Sequence, residues 1–139
     1  MAPTIIENLV RLRDASGRDL IVPEKSSGPR ITGTLIDEAG APIPIAAVQT
    51  ATLTIYARDE VTKPIINSVD HVDIKNANQG TIHATSGLLT LSLNSLDNSI
   101  NNVANDLEWH RLLIEVGYNT TKTFKYEIEF PVRNLAKVT

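Results

Sequence analysis

Three histidines and a scatter of carboxylates are the side chains of this sequence with the most obvious chemistry. His71-x-Asp73 sets an imidazole near a carboxylate, with His83 following after a turn. A metal centre needs three or four convergent ligands; two in one loop and a third beyond it read as solvated loop histidines. Asp97-x-Ser99-x-Asn101, with Glu108 eleven residues after Asp97, follows the ligand order of a calcium loop. It departs where that loop is strict: Asn102 stands where the sharp turn needs glycine, and Glu108 opens a strand instead of a helix. The sequence therefore implies no metal and no other cofactor. It also carries no Gly-x-Ser-x-Gly elbow, glycine-rich phosphate loop or His-Glu-x-x-His pair. Glu127 and Glu129 sit two apart on one strand face beside Lys125, as a solubilising charged row and not a general acid and base. His110 has core-facing parity near the start of its strand and is expected partly buried at the sheet rim. No enzyme is expected.

The element that positions most of these groups runs from Glu108 to Val132. Glu108, His110, Leu112, Ile114, Val116 and Tyr118 alternate with Trp109, Arg111, Leu113, Glu115 and Gly117. Phe124, Tyr126, Ile128, Phe130 and Val132 alternate with Thr123, Lys125, Glu127, Glu129 and Pro131. A period of two means two strands, each with one buried and one wet face, joined by a tight turn at Asn119-Thr120-Thr121. Trp109, the only tryptophan, points away from the core layer of Phe124, Tyr126 and Phe130. Beside Leu113 it is either an interface anchor or a residue packed under the N-terminal segment.

Upstream, Ile31–Ile36 and Ala51–Ala57 read as strands, with a turn at Asp37-Glu38-Ala39-Gly40. Pro42 and Pro44 confine Ala41–Ile45 to an edge or a sheet-switching segment. Ile65–Ser68 reads as a short strand, Ile82–Ala84 as a brief pairing, and Leu89, Leu91 and Leu93 as a further strand. Ser95 to Asp106 is a polar crossover with a short helix capped by Ser95. About seven short strands with turns between them predict an all-β fold, an immunoglobulin-like antiparallel β-sandwich. A closed eight-stranded barrel is the competing architecture. Residues 30–139 form the sandwich domain, and residues 1–29 form an N-terminal arm and linker. Within the arm, Ile5, Ile6, Leu9, Val10 and Leu12 suit a short helix. A hairpin around Asp14-Ala15-Ser16-Gly17 suits it as well, and the extended form is preferred. The arm reading predicts that the domain folds without residues 1–25.

Composition bounds the partners. The chain has 139 residues, 42% hydrophobic and 21% charged, with a net charge of −3. Its Lys and Arg residues are dispersed among acids, which argues against nucleic-acid binding. No cysteine is present, so no disulfide framework or thiolate site exists. No apolar run reaches the ~20 residues of a membrane span, and no signal peptide is visible. Neither a membrane nor a nucleic acid is expected as partner.

Four segments carry a resemblance: Ile31-Thr32-Gly33-Thr34-Leu35-Ile36-Asp37-Glu38-Ala39-Gly40, Ala51-Thr52-Leu53-Thr54-Ile55-Tyr56, Ser95-Leu96-Asp97-Asn98-Ser99-Ile100 and Phe130-Pro131-Val132-Arg133-Asn134-Leu135. With these, residues 30 to 136 resemble small structural proteins of tailed bacteriophages. More distantly they are similar to the N-terminal immunoglobulin-like domain of phage upper-baseplate proteins, from which the N-terminal arm departs. The resemblance implies a virion component, assembled in the bacterial host cytoplasm, that binds copies of itself and neighbouring virion proteins. Its expected place is the tail, baseplate, collar or head–tail region. A capsid decoration or head-fibre protein is the alternative, and a carbohydrate-binding β-sandwich module using Trp109 and Tyr118 a further one. Ile5, Ile6, Leu9, Val10, Trp109 and Leu113 are the expected interface residues.

Overall fold

The computed structural model describes residues 7–137. The two alternating segments form β8 (Leu107–Tyr118) and β9 (Lys122–Arg133), paired antiparallel from Leu107↔Arg133 to Tyr118↔Lys122 without a register shift. Their turn takes Asn119 and Thr120 into the left-handed region, at φ 49° and 63°. Neighbouring loops hold it there: the Asn119 N–H donates to the Ala47 carbonyl and the Thr120 N–H to Gln49 Oε1.

The remaining strands attach on either side of this pair. β4 (Val48–Ala57) runs antiparallel to β8, and the two-residue β5 (Val72–Asp73) extends β4. On the other side, β1 (Glu7–Arg11) and β2 (Val22–Pro23) both lie parallel to β9. The result is a six-stranded sheet. A second sheet of three strands has the order β3 (Arg30–Thr34), β7 (Leu88–Ser92), β6 (Gly80–Ile82). The two sheets stay separate, which makes a sandwich and not a closed barrel, and the described residues form nine strands against the seven expected.

Period-two patterning explains the core. Leu53, Ile55, Leu112, Ile114, Phe124 and Phe130 face inward from the larger sheet and meet Leu89, Leu91, Leu93 and Ile82. Tyr118 and Phe124 pack edge to face with centroids 5.8 Å apart. Tyr126 meets Phe124 in the same way at 5.5 Å, but stays half-buried at the sandwich edge.

Several local expectations change. Between Asp14 and Gly17 the chain does turn back on itself, bridging Arg13 to Asp19. The hairpin, however, interrupts an edge of the sheet: β1 precedes it, β2 follows it, and Val22 enters the core. Ile65–Ser68 is not a strand. Ile65 makes one bridge to Tyr56, and Asn67 and Ser68 then turn left-handed at φ 54° and 57°. Ala41–Ile45 carries a single Pro42–Ile36 bridge before a 3-10 turn at Ile45–Ala47, because its two prolines withhold ladder donors. The short crossover helix is a 3-10 turn, Ser95–Asn98, capped by Asn94 and not Ser95, since the Asn94 N–H reaches Asp97.

Two outcomes follow from this packing. Phe130→Ala should lower unfolding free energy by about 3–5 kcal/mol in urea titrations, as a buried aromatic leaves a cavity. Removing residues 1–23 should also destabilise the domain, contrary to the arm reading. It strips two parallel strands from β9 and takes Val22 from the core, and a lowered thermal midpoint would show it.

Candidate functional site

The outer face of the larger sheet holds the densest cluster of charged groups. Strand order and register place Arg11, Glu129, Arg111 and Tyr56 in one row across β1, β9, β8 and β4. The Glu129 carboxylate is 1% exposed. Arg11 donates to its Oε2 through Nε and Nη2 at 3.0 and 2.8 Å. Arg58 adds a bond from Nη1 to the same oxygen at 3.1 Å, and Arg111 bonds Oε1 at 2.9 Å. Burial is the largest single influence on Glu129 and opposes its charge. Hydrogen bonds from Arg111, Arg11 and Arg58 together outweigh it and hold the pKa below the usual carboxylate value. The wet charged row expected at Glu127 and Glu129 is therefore half wrong. Glu127 is half-exposed and pairs with Arg111 at 3.3 Å, whereas Glu129 is buried. Parity tells which face a residue points to. It does not tell that three arginines from β1, β8 and the end of β4 converge over that face.

Trp109 belongs to the same cluster. Arg11 reaches it from one side of β8 and Arg58 from the other, with guanidinium carbons 4.7 and 4.6 Å from the ring centroid. The side chain of Arg11, the last residue of β1, thus lies over Trp109, and the indole stacks against two of the arginines that bind Glu129.

A second hub lies where β8 begins. Glu108 accepts the backbone N–H groups of Asn101 and Asn102, both at 2.7 Å, the Asn105 amide at 3.3 Å and His110 Nε2 at 2.6 Å. Burial opposes its charge, but the bonds from His110, Asn101 and Asn102 prevail and its pKa is lowered. His110 is completely buried, deeper than the rim position expected, and its Nδ1 has no hydrogen-bond partner. Asp97 is buried too, accepting from Asn94 N–H, the Asn67 amide and the Gln79 amide. The two acidic residues of the calcium-like pattern are thus each saturated by N–H donors. They fasten the Asn94–Asp106 crossover to the sandwich.

The histidine pair of the first loop is not assembled. His71 Nδ1 bonds Asp70 at 2.6 Å, and its Nε2 lies 3.1 Å from Glu115 Oε1 on the larger sheet. His83 lies just beyond β6 of the smaller sheet, where Nδ1 accepts the Ser86 N–H at 3.1 Å. Asp73 accepts the N–H of Lys75. Among the described residues no group of three or more His, Cys, Asp or Glu side chains is arranged to hold a metal ion. No helix among the described residues is long and apolar enough to cross a membrane.

No protein-family model matches the chain, and neither a curated protein nor a solved structure matches it significantly.

Of the expected interface residues, Ile5 and Ile6 lie outside the described residues. Leu9 pairs through its backbone with Glu127. Val10 is 44% exposed at the edge of the sandwich, and Trp109 and Leu113 are half-buried on the outer face. Two surfaces went unread in the sequence. One is an apolar cleft of about 240 Å³ at the sandwich edge, lined among others by Val10, Leu12, Ile31, Gly33, Tyr126 and Ile128. The other is a set of bare apolar side chains at the end where β8 begins: Val61 is 96% and Val103 75% exposed, with Leu107 and Leu135 nearby in the fold. Their signal was present as single valines set into polar turns, Asp59-Glu60-Val61-Thr62 and Asn102-Val103-Ala104-Asn105.

The carboxylate hubs make stability depend on pH. Glu129 and Glu108 have pKa values lower folded than unfolded, so their contribution is complete above the ordinary 4.5. It is lost as pH falls through the lower folded values. Urea midpoints should therefore drop steeply below about pH 4.5. Glu129→Gln should cost about 2 kcal/mol at pH 7, since the flanking arginines are partly hydrated and screened. It should also flatten the acid limb of the curve.

Proposed function

We propose that this protein is a structural component of a tailed-phage virion. It acts as an oligomeric adaptor in the tail, baseplate, collar or head–tail region and binds copies of itself and neighbouring virion proteins. The sequence pattern of residues 30 to 136 supports the class, and the fold is of a kind such components use. The observation that carries the reading is the cluster of exposed apolar side chains at one end of the sandwich. The Asn102 amide bonds Glu60 at 3.2 Å, joining the Val103 loop to the Val61 turn. The Asn134 amide bonds the Val103 carbonyl at 3.0 Å, joining that loop to the segment of Leu135. Val61, Val103, Leu107 and Leu135 are thereby gathered on one end and held by a hydrogen-bonded frame. Single exposed apolar residues are ordinary on a protein surface; a gathered set on a fixed frame suits a protein contact.

The same geometry weighs between the alternatives. A glycan-binding module would present its tryptophan as a platform, and here two guanidinium groups lie over the Trp109 ring. A decoration protein would use the same sandwich, so copy number separates it from a tail adaptor. Imaging of particles carrying a labelled copy should show a few to about a dozen molecules at a tail or neck site. Hundreds over the capsid would favour decoration, and absence from particles would remove the virion reading. The double variant Val61→Asp/Val103→Asp should keep its unfolding midpoint, since both residues are exposed. Its incorporation into particles should fall at least about tenfold, a 1.4 kcal/mol loss in contact energy.

A further inference from the structure

The second sheet ends on an edge that lacks the usual protection. Leu35 N–H donates to the Gly87 carbonyl, whereas on the β6 side of β7 the Ser92 N–H donates to the Gln79 carbonyl and the Leu88 carbonyl accepts the His83 N–H. The ladder alternates from these points, so Ile31 and Gly33 bond toward β7. Arg30, Thr32 and Thr34 turn their N–H and C=O groups to the other side, where no strand lies among the described residues. Exposed edges are normally blunted by shortness, bulges, proline or charge. β5 and β6 are two and three residues long, and the outer edge of the larger sheet is broken by the hairpin between β1 and β2. β3 has five residues in unbroken register, with no proline and no charge from Ile31 to Thr34.

Beneath this edge the core is incomplete. Gly33 lies opposite Leu89, on the inward side between Ile31 and Leu35. A Cβ built at Gly33 would meet nothing within 4 Å. The apolar cleft described above opens at this point.

We propose that β3 pairs antiparallel with β3 of a second copy across a two-fold axis at Thr32, so that the two small sheets join into one. The unpaired backbone row calls for an extended strand, and this strand is complementary to itself. Thr32 meets Thr32, and Arg30 meets Thr34 of the second copy, so the outward N–H and C=O groups of both strands find partners. Ile31 then lies across from Gly33 of the other copy, beside the vacant inward position, where its side chain covers the cleft. The charges agree as well. Arg30, the only charged side chain of β3, faces a neutral threonine at the end where the other strand runs into its Asp37-Glu38 turn. An isologous contact of this kind closes at two copies. It deepens the adaptor reading by naming the self-associating surface, and rests on that reading only for the expectation that the chain self-associates.

The chain has no cysteine, so Thr32→Cys introduces a single thiol. Across the axis a hydrogen-bonded antiparallel pair has Cα atoms ~5.5 Å apart, inside the ~4.4–6.8 Å that a disulfide spans. Under mild oxidation of the full chain, Thr32→Cys should run mostly as a covalent dimer on a non-reducing gel. Thr81→Cys, exposed on β6, should stay monomeric. Charge gives a second, opposite-signed readout that preserves the fold, because Thr34 is exposed. Thr34→Lys sets a like charge against Arg30 twice per dimer and should weaken the dimer about tenfold by sedimentation. Thr34→Glu should tighten it several-fold. No cross-link at position 32, or equal cross-linking at 32 and 81, overturns the pairing. An oligomeric wild type indifferent to both Thr34 variants overturns the β3 edge while leaving the adaptor reading intact. A wild type that sediments as a monomer at all concentrations overturns the self-association itself.

Discussion

The ladder between β8 and β9 is the constraint on which the rest of the molecule depends. Twelve residues of each strand pair in one unbroken register, and a slip of one position would turn every inward side chain out. Because that register is fixed, β4 has one side of β8 to join, and β1 and β2 have one side of β9. The aromatic and aliphatic layer of Phe124, Phe130, Leu112 and Ile114 then offers a single face for the smaller sheet. The same ladder sets Glu129 beside Arg111 on the outer face and Glu108 beside His110 on the inner one.

Two kinds of polar device complete the structure, and they do different work. The Glu129 cluster is a fastening between strands distant in sequence: Arg11 from β1, Arg58 from the end of β4 and Arg111 from β8 share one carboxylate, and Trp109 holds two of the three. Burying that carboxylate opposes its charge, and the charge-assisted bonds of three arginines reverse the balance. Glu108 and Asp97 fasten loops instead. Each replaces the ladder that the Asn94–Asp106 crossover lacks with several N–H bonds to one carboxylate. These groups are occupied in holding the fold, and the surfaces left uncovered are apolar or edge-like: the Val61–Val103 end, and β3 with the cleft beneath Gly33.

Much of this architecture was legible because alternation is a local signal. The strands containing Leu53, Leu91, Ile114 and Ile128 could be read with their inward faces, since a period of two needs no knowledge of what lies across the core. The segments before Arg30 were harder to read. Short parallel strands such as Glu7–Arg11 and Val22–Pro23 gain their pairing from β9, over a hundred residues away, and not from their own composition. Ile65–Ser68 misled for the complementary reason: two isoleucines suggest a strand, but Asn67 gives its amide to Asp97 and the chain turns away.

By itself the sequence determined the all-β class, the long hairpin, the aromatic core layer and the positions of most turns, because each depends on near neighbours and on the burial of apolar surface. Only the tertiary structure decided which charges are buried, what covers Trp109 and where the sandwich stays open. Those outcomes depend on convergence of residues far apart in the chain. Glu129 looks like any surface glutamate until Arg11 and Arg58 arrive. Gly33 looks like an ordinary strand glycine until the space beneath it proves empty.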